Sequence, residues 1–310
     1  MVVVKDMNKH LGDKKILKDI SFHISEGEAV GLIGRNGAGK TTLLKVITGQ
    51  LKEDSGFVRV NGCKNITHNM DKLKEVAFIS GERSQLWNDM KLIYSYDNCA
   101  KMYGIKNYKE RLMKLAEQAG ITEDMDKMVN TLSLGKLMRA EIVYALLTNP
   151  KLLIMDEALV GVDVSAKKDI HDILTDIKNN SDSTIIYTTH NLMEIEHICD
   201  RVIMLDKGEV IFDGDISKIM KEYSANYTLH IELCGKIPDM EDLPVEKITI
   251  SNENIIIEYD KKKLSTAIIL NHIINKCNCH IGELHIEEPH LEDIVRRIFN
   301  DRSKKYKEVL

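Results

Sequence analysis

The chain has 310 residues, enough for one large domain or two smaller ones. It is 43% hydrophobic and 29% charged, an ordinary globular balance. Its formal net charge of −5 argues against a protein whose main work is holding nucleic acid. No apolar run approaches the length of a membrane span, and Met1-Val2-Val3-Val4-Lys5-Asp6 lacks a signal-peptide pattern. The expectation is a cytoplasmic protein that needs another chain to cross any membrane. The six cysteines are scattered, and Cys277-Asn278-Cys279-His280 lacks a second cluster to complete a four-ligand metal site. Reduced thiols are expected.

Residues 2–33 read as strands and turns, with Ile16, Leu17, Ile20, Phe22 and Ile24 as apolar positions. Ala29-Val30-Gly31-Leu32-Ile33 reads as a buried strand. It runs into Gly34-Arg35-Asn36-Gly37-Ala38-Gly39-Lys40-Thr41-Thr42, which matches G-x-x-x-x-G-K-[ST]. Leu43 to Ile47 continues as a helix. Glycines let successive N–H groups turn toward one anion, and the helix N-terminus adds its positive dipole end. Lys40 then reaches the β- and γ-phosphates of a nucleotide, and the Thr41 hydroxyl ligates Mg²⁺.

Phe57 to Val60 reads as a strand ended by Asn61-Gly62, and Val76 to Ile79 as another. Residues 88–130 suit helices, with no strand-like run among them. A further helix starts near Ser133 and ends before Asn149-Pro150. Ser133 occupies a capping position, so a second helix N-terminus is offered to an anion. Leu152-Leu153-Ile154-Met155-Asp156-Glu157 is an apolar strand ending in two carboxylates, the Walker B form. Asp156 suits a Mg²⁺ ion held through water, and Glu157 suits the orientation of an attacking water. Ser165 to Ile177 is helical, and Thr184 to Thr188 is a strand followed by Thr189 and His190. A helix from Leu192 to Cys199 and strands at Val202–Leu205 and Glu209–Phe212 complete an α/β pattern. Beyond residue 224 the pattern restarts as a small α+β part. It has half-buried strands around Leu229–Leu233 and Ile255–Tyr259, a helix over 264–274, a short strand at 284–286 and a closing helix over 291–299. The basic tail (Arg302, Lys304, Lys305, Lys307) reads as a solvated end.

With these motifs in order, the chain resembles the ATP-binding-cassette (ABC) transporter ATPases over about residues 2–222. The resemblance rests on the loop at 34–42, a signature at Leu132-Ser133-Leu134-Gly135-Lys136, and Walker B at 152–157. Gly161-Val162-Asp163, similar to a D-loop, and a switch histidine, His190, complete the series. Glu82-Arg83-Ser84-Gln85-Leu86-Trp87 and Leu132-Ser133-Leu134-Gly135 look like the ABC-2-type bacterial exporters of drugs, antibiotics and sodium. Glu288-Pro289-His290-Leu291-Glu292-Asp293-Ile294 is similar to their common ending.

The resemblance implies a P-loop NTPase cassette at 1–224, with a mixed, largely parallel core sheet, an antiparallel β part and a helical subdomain at about 88–147. A small α+β accessory domain occupies 225–310. It implies two cassettes paired head to tail, with ATP and Mg²⁺ between the P-loop of one copy and Ser133 and Gly135 of the other. Glu157 and His190 are the implied catalytic residues, and Thr41, Asp156 and Glu82 the implied metal ligands. An integral-membrane permease is the implied partner at the cytoplasmic face, docked near residues 80–100, and no nucleic acid is expected. A nucleotide-gated regulator with little hydrolysis, or a soluble cassette acting on ribosomes or nucleic acid, are the competing readings.

The chain departs from the family pattern in several places. Leu134 and Lys136 stand where the signature has a glycine and a glutamine, and Lys136 offers the phosphate a further positive charge. Ala158-Leu159 replace Pro-Thr after Walker B. Leu11, beside His10, stands where an adenine-stacking aromatic is expected. The Q-loop position falls on Gly81 or Glu82, with Gln85 near, and Glu82 is favoured because a carboxylate also ligates Mg²⁺. Trp87 suits either a permease contact or the cassette core.

Overall fold

The computed structural model describes residues 1–64, 66–81, 83–180, 183–223, 226–234, 243–251, 254–261, 263–276 and 280–308. Glu82, Cys277 and Cys279 fall outside them. Contacts divide the chain into Met1–Asp215 and Ile216–Leu310, whereas the sequence pattern places the join at residue 224.

In the first unit, β1 (Val2–Leu11) and β2 (Lys14–Ile24) form an antiparallel hairpin. β3 (Ala29–Gly34) leads through the glycine loop into α1 (Lys40–Ile47). β4 (Ser55–Val60) returns to pair with β1, and a short α2 (Met70–Leu73) precedes β5 (Val76–Ser80). Three helices follow: α3 (Leu92–Met102), α4 (Tyr108–Gln118) and α5 (Leu134–Leu147). The chain then alternates: β6 (Leu152–Asp156), α6 (Val164–Asn180), β7 (Thr184–Thr188), α7 (Leu192–Ile198), β8 (Arg201–Asp206) and β9 (Glu209–Asp215).

Among the described residues, β2-β1-β4 form an antiparallel sheet, and β5-β6-β7-β3-β8-β9 a second sheet, parallel except for β9. Every residue of β6 and β7 is buried, and β3 is buried up to Gly34. Strands covered on both faces need such unbroken apolar runs. In β1 and β2, by contrast, Val2, Val4, Ile20, Phe22 and Ile24 alternate with exposed residues, as a sheet with one wet face requires. Leu43, Leu44, Val46 and Ile47 of α1 share one core with residues of both sheets. The helix behind the glycine loop is thereby anchored on two sides. The helical part has its own core, where Leu92, Tyr96 and Cys99 of α3 meet Leu112 of α4 and Ala140, Val143 and Leu147 of α5.

The second unit comprises α8 (Ile216–Tyr223), β10 (Asn226–Cys234), β11 (Lys247–Ser251), β12 (Asn254–Asp260), α9 (Thr266–Lys276), β13 (His280–Glu287) and α10 (Leu291–Glu308). Its strands form an antiparallel sheet in the order β11-β12-β10-β13. Leu229, Ile231, Ile255, Ile257 and Tyr259 pack with Ile269 and Ile273 of α9. Four features go beyond the sequence pattern. α8 and β11 are additional elements, β13 spans His280–Glu287 where a short strand at 284–286 is expected, and α10 runs to Glu308 where the apolar pattern stops at Phe299. Beyond Phe299 the helix carries charged residues instead of an apolar stripe, so periodicity loses it.

Candidate functional site

β6, β7 and β3 lie side by side and parallel. Their C-terminal ends therefore deliver Glu157, His190 and the glycine loop to one edge of the sheet, where open α/β folds bind ligands. One cavity is lined by Lys14 and Ile16 of β2, by Asn36, Gly37, Ala38, Gly39, Lys40, Thr41 and Thr42, and by Glu157 and His190. Gly34 closes β3 and Arg35 opens the loop.

The loop's shape depends on its glycines. Gly37 has φ +78 and Gly39 φ +107, conformations that side chains rarely take. A Cβ on Gly39 would also stand 2.7 Å from Leu17 Cδ2. The Ala38 carbonyl accepts the Gly208 N–H at 3.0 Å, which pins the loop to the β8–β9 turn. At that turn, Lys207 (φ 48) and Gly208 (φ 81) give the left-handed pair that tight hairpins favour.

Lys40 is 6% exposed, and its ammonium donates to the Gly34 carbonyl at 2.9 Å. Its Nζ also stands 3.5 Å from Glu157 Oε1, and His190 Nε2 lies 3.1 Å from that same oxygen. A nearly buried cation at the floor of a cavity, answered by one carboxylate, is an arrangement suited to an anionic ligand.

The two acidic residues where β6 ends, Asp156 and Glu157, are held by Thr188 at the end of β7. Its hydroxyl donates to Asp156 Oδ1 at 2.7 Å and accepts the Glu157 N–H at 3.0 Å. Glu157 has φ 50, a left-handed backbone that is unusual for a residue with a side chain. Gly81 comes against it: the Gly81 N–H donates to the Asp156 carbonyl at 3.0 Å. A Cβ on Gly81 would lie 2.4 Å from the Glu157 carbonyl. The next residues, Ala158 and Leu159, are buried apolar side chains where the family pattern has Pro-Thr.

Ser133 and Gly135 lie away from that cavity's lining, at the start of α5. The Ser133 hydroxyl caps the helix by accepting the Lys136 N–H at 3.4 Å. Gly135 packs against α6, where a Cβ would stand 2.7 Å from the Ala166 Cβ. Lys136 points to a different partner from the one expected. Its ammonium pairs with Asp124 at 2.9 Å, and Lys127 holds the same buried carboxylate at 2.6 Å.

Gln85 donates its side-chain amide to the Phe78 carbonyl at 2.6 Å, so it is committed to β5. Trp87 is 51% exposed and belongs to the surface. His10 is paired with Asp54, Nδ1 to Oδ2 at 3.0 Å, and Leu11 is exposed.

Thr188, Lys14 and Glu194 belong to no sequence motif. Thr188 carried a usable signal, as a polar side chain at the end of an apolar strand two residues before His190. Glu194 is 3% exposed and accepts from Tyr187, Thr189, Asn191 and Lys167. Burial pushes its carboxyl up, but the Tyr187 hydroxyl, the Lys167 ammonium and the Thr189 hydroxyl outweigh burial and hold it below its ordinary value.

Residues 17–160 match the model of the family described as ABC transporter. An uncharacterized ABC transporter ATP-binding protein of Bacillus subtilis, YdbJ, is 37% identical over 207 residues, 67% of either chain. The linearmycin resistance ATP-binding protein LnrL of the same organism is 29% identical over 304 residues, 94% of this chain and 96% of LnrL. A solved ATP-binding subunit of an ABC transporter superposes with a TM-score of 0.66 at 28% identity, covering 72% of this chain and 93% of that one. The chain belongs to the ABC transporter family, as one of its ATP-binding, ATP-hydrolysing proteins.

Proposed function

We infer that this chain is the ATP-driven subunit of a membrane exporter, working at the cytoplasmic face as a pair of copies with an integral-membrane permease. The observation that carries the reading is the single cavity shared by the glycine loop, Lys40, Thr41, Glu157 and His190. Similarity to LnrL, named for resistance to linearmycin, over nearly the whole chain supports export. Among the described residues no helix is long and apolar enough to cross a membrane; in this reading the permease provides the translocation path.

In this reading the loop N–H groups, from Gly34 through Thr42, cradle the phosphates. Lys40 exchanges its contact with Glu157 for the β- and γ-phosphates. Glu157, freed from that pair, takes the proton of the attacking water, and His190 steadies the γ-phosphate. Ser133 and Gly135 of a second copy complete the site at the opened N-terminus of α5. ATP then acts as a ligand with higher affinity for the closed pair, which is how its binding moves the permease.

The residues fit Mg²⁺ bound with the nucleotide. Thr41 lines the cavity and Asp156 ends β6 beside Glu157, and oxygen donors of this kind suit that hard ion. Bound there, Mg²⁺ would neutralise charge on the phosphates.

The test is to mix the full chain with ATP and Mg²⁺ and follow phosphate release and molecular mass. Turnover in the wild type, and an ATP-dependent doubling of mass in Glu157→Gln, are expected. A chain that binds ATP but never pairs, with or without a co-expressed permease, would overturn the reading.

A further inference from the structure

His190 sits in a three-residue link between β7 and α7, and both its neighbours are tied to one buried carboxylate. Thr189 Oγ1 donates to Glu194 Oε2 at 2.8 Å, and Asn191 Nδ2 donates to Glu194 Oε1 at 3.3 Å. The two neighbours are also bonded to each other, since the Asn191 N–H donates to Thr189 Oγ1 at 3.1 Å. The carboxylate has two further anchors. The Tyr187 hydroxyl, from the buried strand β7, donates to Oε2 at 2.7 Å. The Lys167 ammonium, from α6, donates to Oε1 at 3.0 Å. His190 itself is exposed and makes its contact with Glu157 from the tip of this arrangement.

α6 is the helix whose first turn lies against Gly135. Asp163 caps it, its carboxylate accepting the Ala166 N–H at 2.9 Å, and the Lys167 N–H donates to the Asp163 carbonyl at 2.9 Å. The Lys167–Glu194 pair therefore connects the segment around Asp163 to the link that carries His190.

We propose that Glu194 is a positioning residue for hydrolysis: it holds His190 within reach of Glu157 by clamping Thr189 and Asn191, and Lys167 makes that clamp sensitive to α6. The inference rests on the role given to His190 above. Glu194 touches neither substrate nor the reacting atoms. It works by removing the freedom of a short link, so its loss displaces His190 without altering the loop that binds phosphate. A displacement of about 1 Å at a reacting centre lowers turnover by up to about a hundredfold.

A double-mutant cycle on the full chain tests it, reading kcat and the KM for ATP in Mg²⁺. Glu194→Ala is expected to lower kcat about 10- to 100-fold while KM changes less than about twofold. Glu194→Gln retains an acceptor for Tyr187 and Thr189 but turns a donor toward Lys167, so its loss is smaller. Combined with His190→Ala, Glu194→Ala adds nothing further, because both changes remove one function. Should Glu194→Ala fail to fold, Thr189→Val and Lys167→Met enter the same cycle, with the same non-additivity expected. Additive losses in the double variant would overturn the proposal, as would wild-type turnover in Glu194→Ala beside a slow His190→Ala. Wild-type turnover in His190→Ala would overturn the role of the histidine itself, and that of Glu194 with it.

Discussion

Lys40 Nζ and Glu157 Oε1 stand 3.5 Å apart in the cavity that the glycine loop shares with His190. The lysine that would grip phosphate is thus held by the carboxylate that would activate water. In the proposed mechanism an anion that binds here breaks this pair, and so frees the carboxylate as the substrate arrives.

The pair makes opposite predictions for its two members. Glu157→Gln removes the competing charge, so ATP affinity is kept or increased while turnover falls about 10²- to 10⁴-fold, the range for a lost general base. Lys40→Ala removes a charge-assisted contact and weakens ATP binding about 10- to 100-fold. Fluorescent-nucleotide titration and phosphate release check both. Equal weakening of ATP binding in the two variants would contradict these assignments.

Gly135 yields a prediction about packing. An added Cβ would meet the Ala166 Cβ at 2.7 Å, closer than two carbon atoms approach without displacement. Gly135→Ala is expected to cost about 1–3 kcal/mol by forcing α5 and α6 apart. Ala166→Gly in the same chain removes the opposing atom and should restore most of the loss. Urea midpoints of the two single variants and the double variant measure it. An unrescued double variant would place the need for glycine elsewhere, for instance at the phosphate.

The glycine loop, the strand ending in Asp156 and Glu157, and the capped helix at Ser133 were legible because each is local: a run of residues whose order implies its backbone shape. The parallel strands were legible for the same reason, as unbroken apolar runs. What escaped depends on contacts far apart in sequence. Lys136 looks available for phosphate until Asp124, twelve residues earlier, is seen to hold it. Gln85 looks like a loop amide until its bond to Phe78 appears. Glu194 looks like an ordinary helix acid, because its value lies in Lys167 and Tyr187 arriving from other elements.

Gly81 tests whether the backbone at Glu157 matters to turnover. Its missing Cβ leaves room for the Glu157 carbonyl, 2.4 Å from where that atom would stand. Gly81→Ala must push away the residue whose φ of 50 already sits in a sparsely populated region. A fall in kcat of about 10- to 100-fold is expected, with ATP affinity little changed, since the phosphate loop is on a different strand. Parallel measurement of kcat and nucleotide affinity checks it; loss of affinity with intact kcat would contradict it.

Glu141 of α5 supports a prediction about pH. It is 3% exposed, and its Oε1 accepts from the Ser84 hydroxyl and from the Gln85 N–H at 2.8 Å. Its Oε2 has no hydrogen-bond partner among the described residues. Burial pushes the carboxyl above its ordinary value, and the bonds from Ser84 and from the N–H groups of Gln85 and Leu86 only partly offset this. The folded chain therefore binds this proton more tightly than the unfolded chain does. For an acid raised in this way, the contribution to stability is fully present below the unfolded pKa. It declines as pH rises through the folded one. Glu141→Gln keeps the acceptor for Ser84 and Gln85 and removes the ionisation. Its urea midpoint should match the wild type at low pH, begin to exceed it once pH passes the unfolded pKa, and keep a constant excess above the raised folded value, with a flatter profile between. Glu141→Ala, which strands the Gln85 N–H and the Ser84 hydroxyl, should lose about 1–3 kcal/mol. A Glu141→Gln midpoint below the wild type across the whole range would mean that the charged carboxylate, rather than its acceptor oxygen, holds residues 84–86 to α5.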